Sequence, residues 1–334
     1  LQNVYMAPMA GITDAVFRGL VIAHGAGLTF SEMVSAKSLV YGNKNTYRLL
    51  ELANHDAFGT APALGLRQKP AKWAVQLFGH EPEIMAEAIK KLDNIPEQFA
   101  EQMNSAADWS FDVVNINMGC PMPKVVNNGD GAALMKDPVL VGQMVAAAVN
   151  ASVRPVSVKI RLGWTGATKN CIEVARAAQE SGASEVIVHG RTRDQYYTGE
   201  ANWEDITAVK AALRVPVIGN GDIFMPEDAL YRLQNSGCDG IMIARGAMGN
   251  PWLFSRTAEG LRTGTVPPPP SKAEIVETAT QHLHAVANNK NMRIEEMRKH
   301  LSWYTKGMHG SADLRRRINT AKTVGEMENL LNEL

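Results

Sequence analysis

Cysteine is scarce in this chain. Its 334 residues hold three, Cys120, Cys171 and Cys238. No two of them stand at a CxxC or any other metal-ligand spacing, so no metal site is expected, and this usage fits a reducing cytosol. Long apolar runs are missing too: none approaches the roughly 18 residues of a membrane span. The opening residues LQNVYMAPMAG lack the basic start and long apolar stretch of a secretion signal, and the expected location is the cytoplasm. Neither sign of charge is in excess, with Lys+Arg and Asp+Glu at 34 each, so total charge does not advertise a nucleic-acid partner. Hydrophobic residues at 45% and charged residues at 20% are those of an ordinary soluble globular protein. The length allows one large domain and a small one, or two of middling size.

What the chain does contain is a recurring short apolar run, seen at 4–7, 28–30, 74–77, 113–116, 156–160, 185–189, 215–219 and 240–244. The interiors of these runs are apolar without strict alternation, as in strands covered on both faces within a parallel sheet. Helical stretches fall between them at 82–91, 138–149, 170–181, 203–212 and 226–236. Asp137 before Pro138, and Pro226 before Glu227 and Asp228, place proline and acids at helix starts. Eight strand–helix units in about 255 residues fit a closed (β/α)8 TIM barrel better than a doubly wound sheet. Two connections, an irregular stretch at 35–70 and NIPEQFAEQMNSAADW at 94–109, are longer than a simple link. The first of them is expected to be partly extended loop on the active face and partly short helix.

The repeating pattern breaks at RTGTVPPPPSKAE, whose four prolines cannot continue a helix and predict a stiff polyproline hinge. The expected division is a barrel over 1–262, a proline-rich linker over 263–271 and a small helical bundle over 272–334, with helices near 272–288, 292–306, 311–320 and 323–333. Between 271 and 322 ten Lys or Arg face five Asp or Glu, including MRKH at 297–300 and RRR at 315–317. Such a tail suits a polyanion, although a solvated helical surface has the same composition.

Function in a barrel gathers at the C-terminal ends of its strands. Those ends carry Pro8, Met9 and Ala10; Glu32; Gln76; Asn115, Asn117 and then Cys120; Lys159 and Arg161; His189 and Arg191; Asn220, Gly221 and Asp222; and Arg245 with Gly246. The last two loops, IGNGDI and ARGAMGN, are glycine-rich, and such turns after the seventh and eighth strands bring backbone N–H groups to a phosphate. Lys159 would be a fixed cation beside an electron-rich ring if it points over the barrel mouth. Gln76 offers a donor and an acceptor that suit the edge of a pyrimidine-like ring. His189 reads either as a site residue or as a histidine capped by a backbone group. Cys120, between Gly119 and Pro121 just past a strand end, reads as an acid or nucleophile rather than as packing. Cys171 and Cys238 read as core filler.

Taken together, APMAGITD at 7–14, NMGCPMPKVVNNGDGAALMKDP at 117–138, VKIRLGW at 158–164, VHGRTRDQYYTG at 188–199, IGNGDI at 218–223 and IARGAMGNPWLF at 243–254 resemble the tRNA-dihydrouridine synthase family. MRKHLSWYTKG at 297–307 resembles the C-terminal domain of its bacterial B-type branch. The resemblance implies an FMN-binding barrel with a helical domain. It also implies reduction of the C5–C6 double bond of particular tRNA uridines by reduced flavin that NADPH replenishes, with Cys120 protonating C5. By the same resemblance Pro8, Met9 and Ala10 wall the flavin ring, and Gln76, Lys159 and His189 contact it. Asn220, Gly221, Asp222, Arg245 and Gly246 then receive the ribityl chain and phosphate, and Asn115 and Arg191 hold the flipped uracil. Arg298, Lys299, Arg315, Arg316 and Arg317 would take the tRNA phosphates, and a monomer with no obligate protein partner is expected. A D-loop uridine, at position 17, is the implied target. Three rival readings are an FMN barrel dehydrogenase acting on a free pyrimidine such as dihydroorotate, a flavin-bearing tRNA-binding factor without catalysis, and a colourless Schiff-base enzyme using Lys159.

Overall fold

The computed structural model describes residues 3–53, 58, 72–95, 99, 103, 109–308 and 310–334. Its strands are β1 Val4–Met6, β2 Leu28–Phe30, β3 Val34–Ser35, β4 Lys72–Phe78, β5 Val113–Met118, β6 Val156–Ile160, β7 Glu185–His189, β8 Val217–Asn220 and β9 Gly240–Ile243. Every neighbouring pair is parallel. The sheet closes because β1 pairs with β9 (Tyr5 opposite Met242) and with β2 (Tyr5 opposite Leu28), while β2 pairs with β4. This is the expected eight-position barrel.

The ninth strand is the second one interrupted. Phe30 lies opposite Ala74 and Val34 opposite Leu77, so four steps along β2–β3 match three along β4. The extra residue makes a bulge, the usual device for re-aiming a strand at a barrel rim. Ser31 spans the break: its N–H donates to Ala74 O at 2.9 Å and its Oγ accepts from Gln76 N at 2.9 Å. The run expected at 215–219 forms its strand two residues later. Pro216 has no N–H to give a ladder, and only its carbonyl joins, accepting from Val186 N at 3.0 Å.

The barrel helices are α1 Ala15–Ala23, α2 Ala36–Val40, α3 Lys44–Arg48, α4 Pro82–Asp93, α5 Pro123–Val126, α6 Pro138–Ala151, α7 Cys171–Glu180, α8 Trp203–Ala212, α9 Pro226–Ser236 and α10 Trp252–Thr263. Proline opens α4, α6 and α9, where a missing N–H costs nothing, and Asp137 caps α6 by accepting from Leu140 N at 3.0 Å. The expected irregular stretch begins as α2 and α3. Its remainder at 54–57 and 59–71 lies outside the described residues, as does most of 94–109. Inside the barrel Leu28, Phe30, Ala74, Ile187, Ile218 and Met242 form a small apolar plug.

The tail contains α11 Lys272–Ala287, α12 Met297–Tyr304, α13 Ser311–Ile318 and α14 Val324–Asn332. Ser271 and Glu274 make a reciprocal capping box that starts α11 just after the prolines. The helix expected at 292–306 begins as a 3-10 turn, Ile294–Glu296, before α12. One continuous apolar core joins barrel and tail. At the junction Phe17 of α1 stacks on His282 at 5.8 Å and meets His300 at 5.3 Å.

A buried guanidinium stands beside that junction. Arg18, 1% exposed, donates from Nη1 to Thr13 O at 2.8 Å and from Nη2 to Glu51 O. The Glu51 carboxylate accepts from Asn289 and Asn291 of the tail at 2.6 and 3.0 Å. Among the described residues no helix is long and apolar enough to cross a membrane.

Candidate active site

A cavity of about 510 Å³ opens at the C-terminal ends of the strands, within the size range of cofactor and small-molecule sites. Its wall includes Pro8, Met9 and Ala10 after β1; Cys120 after β5; Lys159 on β6; His189 ending β7; Asn220, Gly221 and Asp222 from β8; and Arg245 with Gly246 after β9. Residues far apart in the chain thus meet where the strand-end pattern placed them.

Cys120 is held by its backbone. Asn117, still on β5, accepts at Oδ1 from Gly119 N at 3.1 Å and from Cys120 N at 2.9 Å, turning the chain as the strand ends. Arg161 Nε donates to Gly119 O at 2.7 Å, and Ala132 N donates to Cys120 O at 3.0 Å. Gly131 must be glycine: its φ is +60°, and a Cβ there would sit 2.8 Å from Cys120 O. Burial pushes the Cys120 thiol up, against the opposing pull of the Met122 N–H and the charges of Arg161 and Lys159. The sulfur is therefore a thiol at neutral pH, suited to giving a proton and unsuited to nucleophilic attack.

Lys159 reaches the cavity and donates to Asn220 Oδ1 at 3.1 Å. Burial, then the neighbouring Arg161 charge, lowers it from the ordinary lysine range to about 7. A lysine so lowered carries a destabilising charge that is fully present below pH 7 and vanishes as pH rises toward its ordinary 10.5. Lys159→Met is accordingly expected to raise the melting temperature of the ligand-free protein at about pH 6, with the gain shrinking between pH 7 and about 10. Thermal scans across that range check it. His189 is held well below its usual range by burial and by Lys159, Arg161, Arg191 and Arg245, so it is neutral.

The glycine-rich loops shape the far wall. Asp222 adopts φ +51°, an uncommon conformation for a side-chain-bearing residue, and is fixed by three bonds. Its Oδ2 accepts from Arg191 Nη2 and Ala201 N, both at 2.7 Å, and its Oδ1 accepts from Arg245 Nη2 at 3.1 Å. Burial opposes its charge, but these donors win and hold the carboxyl below the usual range. At Gly246 a Cβ would lie 2.1 Å from Ile223 O, so the two loops approach as closely as bare backbone permits.

Three expected contacts lie off the cavity. Gln76 and Asn115 are fully buried in the barrel, facing each other across β4 and β5. Gln76 Nε2 donates to Asn115 Oδ1 at 2.6 Å, Gln76 Oε1 accepts from Asn117 at 2.9 Å, and Asn115 Nδ2 donates to Ser157 Oγ at 2.8 Å. These amides satisfy one another beneath the floor. Arg191 is 2% exposed and lies behind Asp222, donating to Thr198 O and Gly199 O at 3.1 and 2.6 Å.

The tail cations are largely engaged within the protein. Arg298 Nε donates to Ala321 O at 2.8 Å, and Lys299 donates to Gly11 O of the first barrel loop. Arg316 pairs with Asp313 at 2.6 Å, and Arg317 pairs with Glu333. Arg315 has no carboxylate partner among the described residues.

The sequence reading passed over Met33, Tyr197 and Phe224, which also line the cavity, and assigned no role to Asn117 and Arg161. The last two carried a signal, being polar groups at strand ends two residues from Asn115 and Lys159. Tyr197 and Phe224 carried none, since loop paths alone bring them there.

The chain matches the family model described as dihydrouridine synthase over residues 5–334. It is 39% identical over 323 residues to a probable tRNA-dihydrouridine synthase of Rickettsia prowazekii, covering 96% of this chain and 90% of that relative. With a tRNA-dihydrouridine synthase B of Xanthomonas axonopodis pv. citri it shares 40% identity over 325 residues, 96% of this chain and 89% of the relative. Among solved structures, histamine dehydrogenase from Rhizobium sp. 4-9 superposes with a TM-score of 0.52 at 13% identity, over 85% of this chain and 49% of that one, a likeness of fold alone. Matched along nearly its whole length, with a buried cysteine at the mouth of a parallel barrel, the chain belongs to the dihydrouridine synthase family, the flavin-dependent enzymes that reduce tRNA uridines.

Proposed function

We propose that this enzyme takes electrons from NADPH and adds hydrogen across C5–C6 of a D-loop uridine in tRNA, with Cys120 as the proton donor. The observation that carries this reading is the buried Cys120 thiol, its pKa pushed up by burial, on the wall of a cavity that also holds Lys159 and Arg161. Position 17 is the target implied by the resemblance of MRKHLSWYTKG to the B-type branch.

The cavity fits FMN by its chemistry. Gly221 and Gly246 have no room for a side chain, which leaves backbone lining the far wall for a phosphate to approach, and Lys159 donates to Asn220 beside the open space. Pro8, Met9 and Ala10 would pack on the ring. The backbone around Gly221, Asp222 and Gly246, with Asn220 and Arg245, would receive the ribityl chain and phosphate. When bound, FMN supplies the two electrons and the hydrogen that uracil C6 receives.

The chain supplies the rest. Cys120 Sγ holds a proton that passes to C5, and water returns one to the resulting thiolate, so the uracil gains two electrons and two hydrogens. A thiol gives this proton at neutral pH whereas a serine hydroxyl does not. Arg161, and Lys159 in its protonated form, favour the negative charge that develops on the ring before C5 is protonated. His189, being neutral, adds no competing proton. The uridine must leave its stack to reach the cavity, a cost of about a few kcal/mol that is smaller in a loop. The tail, through Arg315 and the exposed head of Arg316, adds a positive surface for phosphates.

The purified protein is expected to show flavin absorbance and to form dihydrouridine in unmodified tRNA with NADPH. A colourless protein that rebinds no FMN would overturn the reading. Flavin with turnover of a free pyrimidine such as dihydroorotate, and none of tRNA, would replace it with the small-molecule dehydrogenase.

A further inference from the structure

The loops after β7 and β8 carry two aromatic rings, Tyr197 and Phe224, to which the proposed reduction gives no part. Tyr197 is 50% exposed and Phe224 is 47% exposed, although both touch the cavity. Guanidinium groups interleave with them: Arg161 lies 5.6 Å from the Tyr197 ring, Arg245 lies 5.4 Å from the same ring, and Arg245 also lies 5.5 Å from the Phe224 ring. The result is a row of cation, ring, cation, ring across the mouth, with ring surface left open to solvent.

A second cavity, of about 440 Å³, adjoins the first through Tyr197, Asp222, Phe224 and Arg245. It adds Arg191 and Arg232. Three guanidiniums thus face two carboxylates, Asp222 and Glu200, and Asp222 is already shared between Arg191 and Arg245. Buried Arg191 keeps its Nη1 without a partner. Arg232 pairs with no carboxylate among the described residues and lies 5.2 Å from the Trp203 ring. By contrast Arg316 and Arg317 of the tail are paired with Asp313 and Glu333.

Open aromatic faces beside guanidiniums are what a single-stranded nucleic acid requires: unstacked bases lie on rings and guanidinium planes, while phosphates take the charge. A duplex would offer phosphates but no free base faces. We infer that this rim seats the single-stranded RNA flanking the reacting uridine, with Tyr197 and Phe224 as stacking platforms and Arg232, in the adjoining cavity, receiving a neighbouring backbone phosphate. The inference rests on the tRNA reading of the same site and adds where the strand lies.

The test is tRNA affinity of the flavin-loaded enzyme measured against salt. Phe224→Ala is expected to weaken binding about tenfold with an unchanged salt slope, because a stack is lost and no charge. Arg232→Gln is expected to weaken binding about fivefold and to lower the slope by roughly one phosphate contact, while Arg232→Lys keeps the slope. A merely structural role for Arg232 would not move the slope. Retained flavin absorbance shows that each variant is folded, and the Phe224 variant tests the rim independently of Arg232. If both variants bind tRNA like the wild type while the wild type makes dihydrouridine, the rim is not the seat and the proposed function stands. If the wild type neither binds nor modifies tRNA, the proposed function itself fails, and this inference with it.

Discussion

Replacing Cys120 by alanine is expected to lower dihydrouridine formation by about 10²- to 10⁴-fold, the usual range for a positioned acid. Flavin content and its reduction by NADPH are expected to persist, because the backbone of residue 120, and not its sulfur, makes the bonds to Asn117 and Ala132. Cys120→Ser is expected to be nearly as poor, since a hydroxyl is far too weak an acid. The raised thiol pKa sets the pH dependence. In wild type the proton-bearing form persists through neutral pH and is lost only above the ordinary cysteine range, so wild-type turnover should fall on the alkaline side. Nucleoside analysis of tRNA after single-turnover reactions measures all three results. Undiminished product from Cys120→Ala would require another acid and would overturn the assignment of Cys120 as the proton donor.

Arg18→Met is expected to destabilise the protein by about 3–5 kcal/mol, the range for removing one partner of a buried charge group. Arg18 faces Asp14 and Glu32 as well as the carbonyls of Thr13 and Glu51. Burial already lifts Asp14 to about 7 and raises Glu32, and the Arg18 charge helps hold both down. Without it the two carboxyls must stay protonated to higher pH. A carboxyl whose folded value exceeds its unfolded value binds more protons when folded, so stability falls as pH rises from the ordinary carboxylate range through the folded value. The Arg18→Met deficit should therefore be smaller near pH 5 and larger at pH 8. Urea unfolding at both values checks the sign, and an equal deficit at both would remove the electrostatic explanation.

Much of the site was legible because it depends on short-range chemistry. A proline after Asp137, glycines in IGNGDI and ARGAMGN, and a polar group where an apolar run stops all report on turns and strand ends within a few residues. Once eight such units are read as a barrel, closure alone brings Cys120, Lys159, His189 and Asp222 to one cavity. Gln76 and Asn115 show the limit. Their amides lie at strand ends, yet they are satisfied by partners on neighbouring strands, and register decides that. Arg298 and Lys299 show it again, being cations whose donors find Ala321 and Gly11 carbonyls only after the tail has docked.

The sequence by itself therefore determined the barrel, the helical tail and most of the polar wall of the cavity, since periodicity, turn residues and strand ends are properties of neighbours along the chain. Tertiary structure alone decided the bulge between β2 and β3, the buried amide chain under the floor, the Arg18 charge group and the aromatic rim at Tyr197 and Phe224. Each of these is set by which groups distant segments bring within hydrogen-bonding or packing distance, and no local pattern encodes that.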